Sequence, residues 1–204
     1  MKSIVVLLIF FVLAFSADTV QAGSGVELRL AGGVSKLSEP QYYTDHWNIG
    51  PSINTGLSYQ MTSRLGILMS IEYNRYILDR EKLHERLLIE GLAATNDHIQ
   101  GGNSSILTIS VNTLLYIVPK SGAMPIYLVG GAGYFKLSTD KMAIGGIDTP
   151  KRSEISWSLL GGVGIDAPLS RPLSLFLERR YGIGYTKTEE SRFISANIGV
   201  KFDR

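Results

Sequence analysis

Eight stretches of this chain alternate in hydrophobicity with a period of two, and no other feature restricts the possible folds as much. Successive side chains of an extended strand point to opposite faces, so this period makes one face apolar and leaves the other for different residues. Val26, Leu28, Leu30 and Val34 alternate with Glu27, Arg29 and Ala31, and Ile53, Thr55, Leu57, Tyr59 and Met61 with Ser52, Asn54, Gly56, Ser58 and Gln60. A third stretch sets Leu65, Ile67, Met69, Ile71 and Tyr73 against Gly66, Ser70, Glu72 and Asn74, and admits Leu68 to the small face. A fourth sets Leu107, Ile109, Val111, Leu115 and Ile117 against Thr108, Ser110 and Asn112, and admits Leu114. In the fifth, Tyr127, Val129, Phe135 and Leu137 mark the apolar face, with Gly130, Ala132 and Lys136 opposite. The sixth carries Ile155, Trp157, Leu159, Val163 and Ile165 over Ser156, Ser158, Gly162 and Gly164. The seventh carries Leu173, Leu175 and Leu177 over Ser174, Phe176, Glu178 and Arg180, and the last Ile194, Ala196, Ile198, Val200 and Phe202 over Ser195, Asn197, Gly199 and Lys201.

The connections predict how these strands join. Thr62-Ser63-Arg64, PKSGAM and residues 167–171 are short, whereas KLSEPQYYTDHWN, residues 79–103 and STDKMAIGGIDTPKR are long, and residues 186–191 are brief. Short turns at one end and longer loops at the other are the pattern of an up-and-down barrel crossing an outer membrane, with the short turns in the periplasm. A soluble lipocalin-like barrel also closes eight strands, but it turns its apolar face inward and its polar face to water. Here the second face is largely Gly, Ser, Asn and Ala, too small and uncharged for a soluble exterior and suited to a cramped barrel interior. A β-sandwich needs two apolar inner faces and leaves the loop asymmetry unexplained.

Residues 1–22 read as a signal peptide: Lys2 begins it, Ile4 to Phe15 form its apolar core, and Val20-Gln21-Ala22 offers a cleavage site. Residues 23–204 then form one barrel domain. With no cysteine, an exported fold cannot rely on disulfides, and a net charge of +2 without a basic run gives no support to nucleic-acid binding. Eight alternating strands, Gly-rich interiors such as YLVGGAGYF and SLLGGVGID, and the closing FISANIGVKF resemble the small outer-membrane barrels of the OmpA/OmpX and opacity-protein type. The resemblance implies an all-β, eight-stranded antiparallel transmembrane β-barrel in the bacterial outer membrane. It is expected to be a monomer surrounded by outer-membrane lipid and lipopolysaccharide.

The small-residue face carries Glu27, Arg29, Glu72, Lys136, Asp166, Glu178, Arg180 and Lys201. Unpaired charges in so narrow a lumen would cost several kcal/mol, so a network of acid–base pairs is expected to plug it. Counting from the turns places Glu72 opposite Arg180, with Arg29 as its other candidate partner. A gated ion path is the competing interpretation, and eight strands leave little room for one.

Arg179 breaks the pattern, because alternation puts it on the lipid face beside Tyr181 and Tyr185. Either a β-bulge at residues 178–180 turns it inward, or it stays outside and extends toward the outer headgroups below an aromatic girdle; the second is the expectation. Asp45-His46 and Asp97-His98 are the loop pairs in which an acid could orient an imidazole, the requirement of a lipid A-modifying enzyme. Neither accompanies a hydrolase serine motif, so solvated loop residues are expected. No metal-ligand spacing and no cofactor motif is present. The long loop DREKLHERLLIEGLAATNDHIQGG has a helix-like patch at Leu83, Leu87 and Leu88 that could cap the mouth or meet a surface protein. A non-enzymatic structural or surface role through the loops is therefore expected, with a lipid A-modifying enzyme or a narrow conduit for small apolar compounds as alternatives.

Overall fold

A computed structural model describes residues 25–40, 45–91, 99–144, 147–170, 172–186 and 190–203, so the expected signal peptide lies outside the described residues. The strands in chain order are β1 (Val26–Glu39), β2 (Gly50–Gln60), β3 (Leu65–Tyr76), β4 (Ile99–Gly101), β5 (Ser104–Val118), β6 (Ile126–Thr139), β7 (Met142–Ile144), β8 (Ile147–Thr149), β9 (Arg152–Ser170), β10 (Leu173–Tyr185) and β11 (Glu190–Asp203). One helix, α1 (Arg80–Ile89), follows β3. Eight of the strands close an antiparallel barrel in the order β1-β11-β10-β9-β6-β5-β3-β2. The expected up-and-down barrel is thus what the chain forms.

The register fixes the barrel's dimensions. A row that starts at Asn74 on β3 passes through Ser52, Gly33, Asn197, Glu178, Gly164, Tyr127 and Tyr116, whose N–H bonds to the Arg64 carbonyl. The row has returned to β3 ten residues nearer the short-turn end. Such a stagger goes with strands tilted about 35–45° and an interior only wide enough for side chains. Register shifts occur only near strand ends, at Leu37/Glu39, Tyr116/Val118 and Leu173/Ser174.

Leu30, Ile53, Met69, Val111, Leu159 and Ile198 are among the large apolar side chains exposed on the outer face. A continuous apolar belt of this kind exceeds what soluble monomers expose and calls for lipid around it. Seven strands present the faces that their alternation predicts.

β6 is the exception. Tyr127, Val129, Phe135 and Leu137 point into the lumen, while Lys136 and Ala132 are exposed outside, the reverse of the expectation. Both faces of YLVGGAGYFKL mix aromatics with glycine, so the alternation there is ambiguous. Cross-strand packing favours the observed facing, because a glycine on a neighbouring strand makes room for a lumenal ring. Tyr127 lies opposite Gly164, Phe193 opposite Gly182 and Phe176 opposite Gly199. A Cβ at Gly164 would stand 2.2 Å from the Tyr127 ring and one at Gly182 2.3 Å from that of Phe193.

The loop end is closed. Leu37, Tyr76, Ile106, Phe135, Leu160 and Phe193 form an apolar layer inside the mouth, continued by Trp47, Leu78, Leu83 and Ile99 from the connections. Leu83 is the buried face of α1, with Leu87 packed partly against the same cluster. The helix starts at Asp79, whose carboxylate accepts from the Lys82 N–H at 3.3 Å. That bond holds the Asp79 carboxyl below its usual range, so the cap is present at neutral pH and is lost only as pH falls through the lowered value. β4, β7 and β8 pair into a small separate sheet, which the alternation did not announce.

The glycine–aromatic pairing has a direct test. Gly182→Val should lower barrel stability by about 1–3 kcal/mol through overpacking. Adding Phe193→Leu should recover part of that loss, as read from the temperature at which the folded band disappears in heat-modifiability gels.

Candidate functional site

The lumen is layered. Its centre is a buried charge cluster built from β1, β3 and β10. Glu178 accepts from Arg29 at 3.0 Å and from the Arg180 Nε at 2.5 Å, and Arg180 Nη1 lies 3.5 Å from Glu72. Four charges of alternating sign therefore form one chain, each less than a tenth exposed. Polar side chains complete it: Tyr127 donates to Glu178 at 2.8 Å, Asn54 and Asn74 donate to Glu72 at 3.4 and 3.1 Å, and Arg180 donates to Ser70 at 3.2 Å. Arg29 also bonds the Tyr127 hydroxyl and lies over the Phe176 ring, 4.3 Å from its centroid. Arg29 thus gains both hydrogen bonds and aromatic faces where water is largely excluded.

A second ionic layer forms the floor at the short-turn end. Lys201 pairs with Asp166, and Lys120 pairs with Glu27, which also accepts from Ser58 at 2.9 Å. These four residues line a cavity of about 340 Å³ with Pro125, Pro168 and Ser174. Lys120 belongs to the turn between β5 and β6, and sequence gives no reason to place it inside. The alternation does not place Tyr127 in the lumen, because β6 faces the opposite way from its apolar pattern. Its signal was Gly164, the gap that a ring on the neighbouring strand fills.

Among the expected lumenal residues, Glu27, Arg29, Glu72, Asp166, Glu178, Arg180 and Lys201 are all buried inside the barrel. Lys136 is not; it stands on the outer face because β6 is inverted. Arg179 is exposed on the outer face midway along β10, between Val163 and Ala196, with unbroken register on both sides and hence no bulge. Tyr181 and Tyr185 share that face.

The loop pairs differ from expectation. His46 is buried at the mouth, 2% exposed, rather than solvated, while Asp45 beside it is exposed. The Asp79 N–H donates to the His46 carbonyl at 2.7 Å, which ties this segment to the start of α1. Asp97 and His98 lie outside the described residues. Among the described residues no group of three or more His, Cys, Asp or Glu could hold a metal ion.

The central cluster predicts unequal effects. Glu178→Ala strips both Arg29 and Arg180 of their shared carboxylate and should destabilise the barrel by about 3–5 kcal/mol. Glu72→Ala should cost clearly less, since Arg180 keeps Glu178. Arg179→Leu should leave folding intact, because it removes a charge from the lipid face and breaks no lumenal bond. Urea unfolding in detergent would rank the three.

No protein-family model matches the chain, and no curated protein matches it. Solved structures do. Neisserial surface protein A is similar over 90% of this chain and 100% of its own, with 17% identity and a TM-score of 0.59. The outer membrane protein OprG of Pseudomonas aeruginosa is similar over 91% and 99%, with 11% identity and a TM-score of 0.55. Ail, the attachment invasion locus protein of Yersinia pestis, is similar over 88% and 99%, with 13% identity and a TM-score of 0.53. The chain has the fold of small outer-membrane β-barrels.

Proposed function

We propose that this chain is a non-enzymatic outer-membrane barrel whose lumen is closed and whose work is done at the surface by the cap over the loop end. The observation that carries this is the double closure of the lumen. An apolar layer fills the loop-end mouth, and beneath it the carboxylates of the central cluster are matched by guanidinium groups. A solute would have to displace both, and a conduit for small apolar compounds would need a continuous gap where Phe135 and Phe193 lie with ring centroids 6.2 Å apart. The lipid A-modifying alternative loses its nearest candidate, since a buried His46 is not presented to a lipid. The cap offers α1 with Glu81, Glu85, Arg86 and Ile89 exposed, held down by Leu83. Rigid scaffolds concentrate recognition in such segments. Ail, the attachment invasion locus protein, has the same fold, which supports a role in surface contact.

Two measurements test this. Purified protein in planar bilayers should show no steady current, and Leu83→Asp should raise protease sensitivity of the cap while conductance stays at baseline, because the ionic layers beneath are intact. A steady wild-type current would overturn the closed lumen. Cells displaying the barrel should adhere to host-type surfaces or matrix, and combined Glu85→Ala and Ile89→Ser should reduce adhesion without reducing the amount of folded barrel in the outer membrane.

A further inference from the structure

The inversion of β6 places a cation where the sequence had hidden one, and its surroundings are informative. On the outer face Tyr73, Leu107 and Lys136 share one register row across β3, β5 and β6, and Arg75 with Ser105 occupies the next row toward the loop end. A row climbs toward the loop end on passing from β3 through β5 to β6, by the same stagger that carries Asn74 down to Arg64 in the other direction. Lys136 therefore reaches about the same height as Arg75, two residues above Tyr73. The two cations flank β5 at about 10 Å across the sheet, with Ser105 between and slightly above them.

Directly beneath is an aromatic floor. Tyr134 shares the row of Ile71 and Ile109, so the same climb brings it level with Tyr73, and it stacks on Trp157 at 4.6 Å between centroids. All three rings are exposed to the outside. Aromatic residues at this position mark the membrane interface, which puts Arg75 and Lys136 at the height of lipid headgroups. Both cations are exposed, and among the described residues neither has an ion-pair partner. Two unpaired cations, a hydroxyl and stacked aromatic faces offer phosphate contacts, a hydrogen bond and a surface for a sugar ring.

We propose that the outer face of β3, β5, β6 and β9 is a headgroup site for a phosphorylated glycolipid of the outer leaflet, with Arg75 and Lys136 holding its phosphates and Tyr134 and Trp157 supporting its sugar. The site rests on the outer-membrane placement proposed above. Native mass spectrometry of the full chain in nanodiscs containing bisphosphorylated lipid A, dephosphorylated lipid A or phosphatidylglycerol tests it. Wild-type protein should retain bisphosphorylated lipid A in preference to both others. Arg75→Gln with Lys136→Gln should lower that retention at least about tenfold. Lys36→Gln, an exposed cation on β1 away from the patch, should leave it unchanged. Equal retention by the double variant, or equal retention of phosphatidylglycerol by wild type, would overturn the site. Heat-modifiable mobility establishes that each variant is folded; should the double variant not fold, Lys136→Gln alone and competition by inorganic phosphate against wild type decide the matter. Fractionation of wild type away from the outer membrane would sink the placement itself, whereas an outer-membrane barrel with unselective lipid retention sinks only the site.

Discussion

The interior of this barrel has almost no spare volume, and most of the structure follows from that. Eight strands staggered by ten residues enclose a space that side chains fill from its centre to the loop end, leaving the cavity at the short-turn floor. Several rings enter where a neighbouring strand supplies glycine: Tyr127, Phe176 and Phe193 each sit opposite one. A charge can enter only with its counter-charge, since the lumen cannot hydrate it in bulk. Glycine, aromatic and ionic residues inside are parts of one packing solution.

That solution is graded along the barrel axis. Lysine–carboxylate pairs lie at the short-turn end, arginine–glutamate pairs in the middle, and apolar side chains under the cap. The apolar end receives the loop segments, because Trp47, Leu78, Leu83 and Ile99 have somewhere dry to go. The cap is consequently a continuation of the barrel's own core, and α1 is anchored by the same burial that seals the mouth. Its outward face is thereby held in a defined orientation, which a loose loop would not provide.

The alternation made the fold and most facings legible, because a strand with lipid on one side has few ways to be arranged. It failed at β6, where Ile126 to Leu137 puts glycines and aromatics on both faces and only the partner across the ladder discriminates. Parity indicated that Glu27, Arg29, Glu178 and Arg180 share the lumen, and counting from the turns brought Glu72 toward Arg180. It could not show Glu178 shared between two arginines, nor Lys120 reaching in from a turn, since such contacts depend on side-chain paths across the ring. The three-residue strands β4, β7 and β8 are too short to carry a period, and the burial of His46 depends on a cap assembled from distant segments.

β1 and β11 meet at the seam where the first and last barrel strands close the ring, and the central charge cluster straddles it. Arg29 on β1 reaches past β11 to Glu178 on β10, whereas Lys201 on β11 pairs with Asp166 on β9 without crossing the seam. Until the seam is shut, Arg29 has no approach to Glu178, so an open sheet carries mismatched charges toward a nonpolar phase. The first and last barrel strands are joined by electrostatics as well as by their ladder, so closing the ring and neutralising the charges at its centre are the same step.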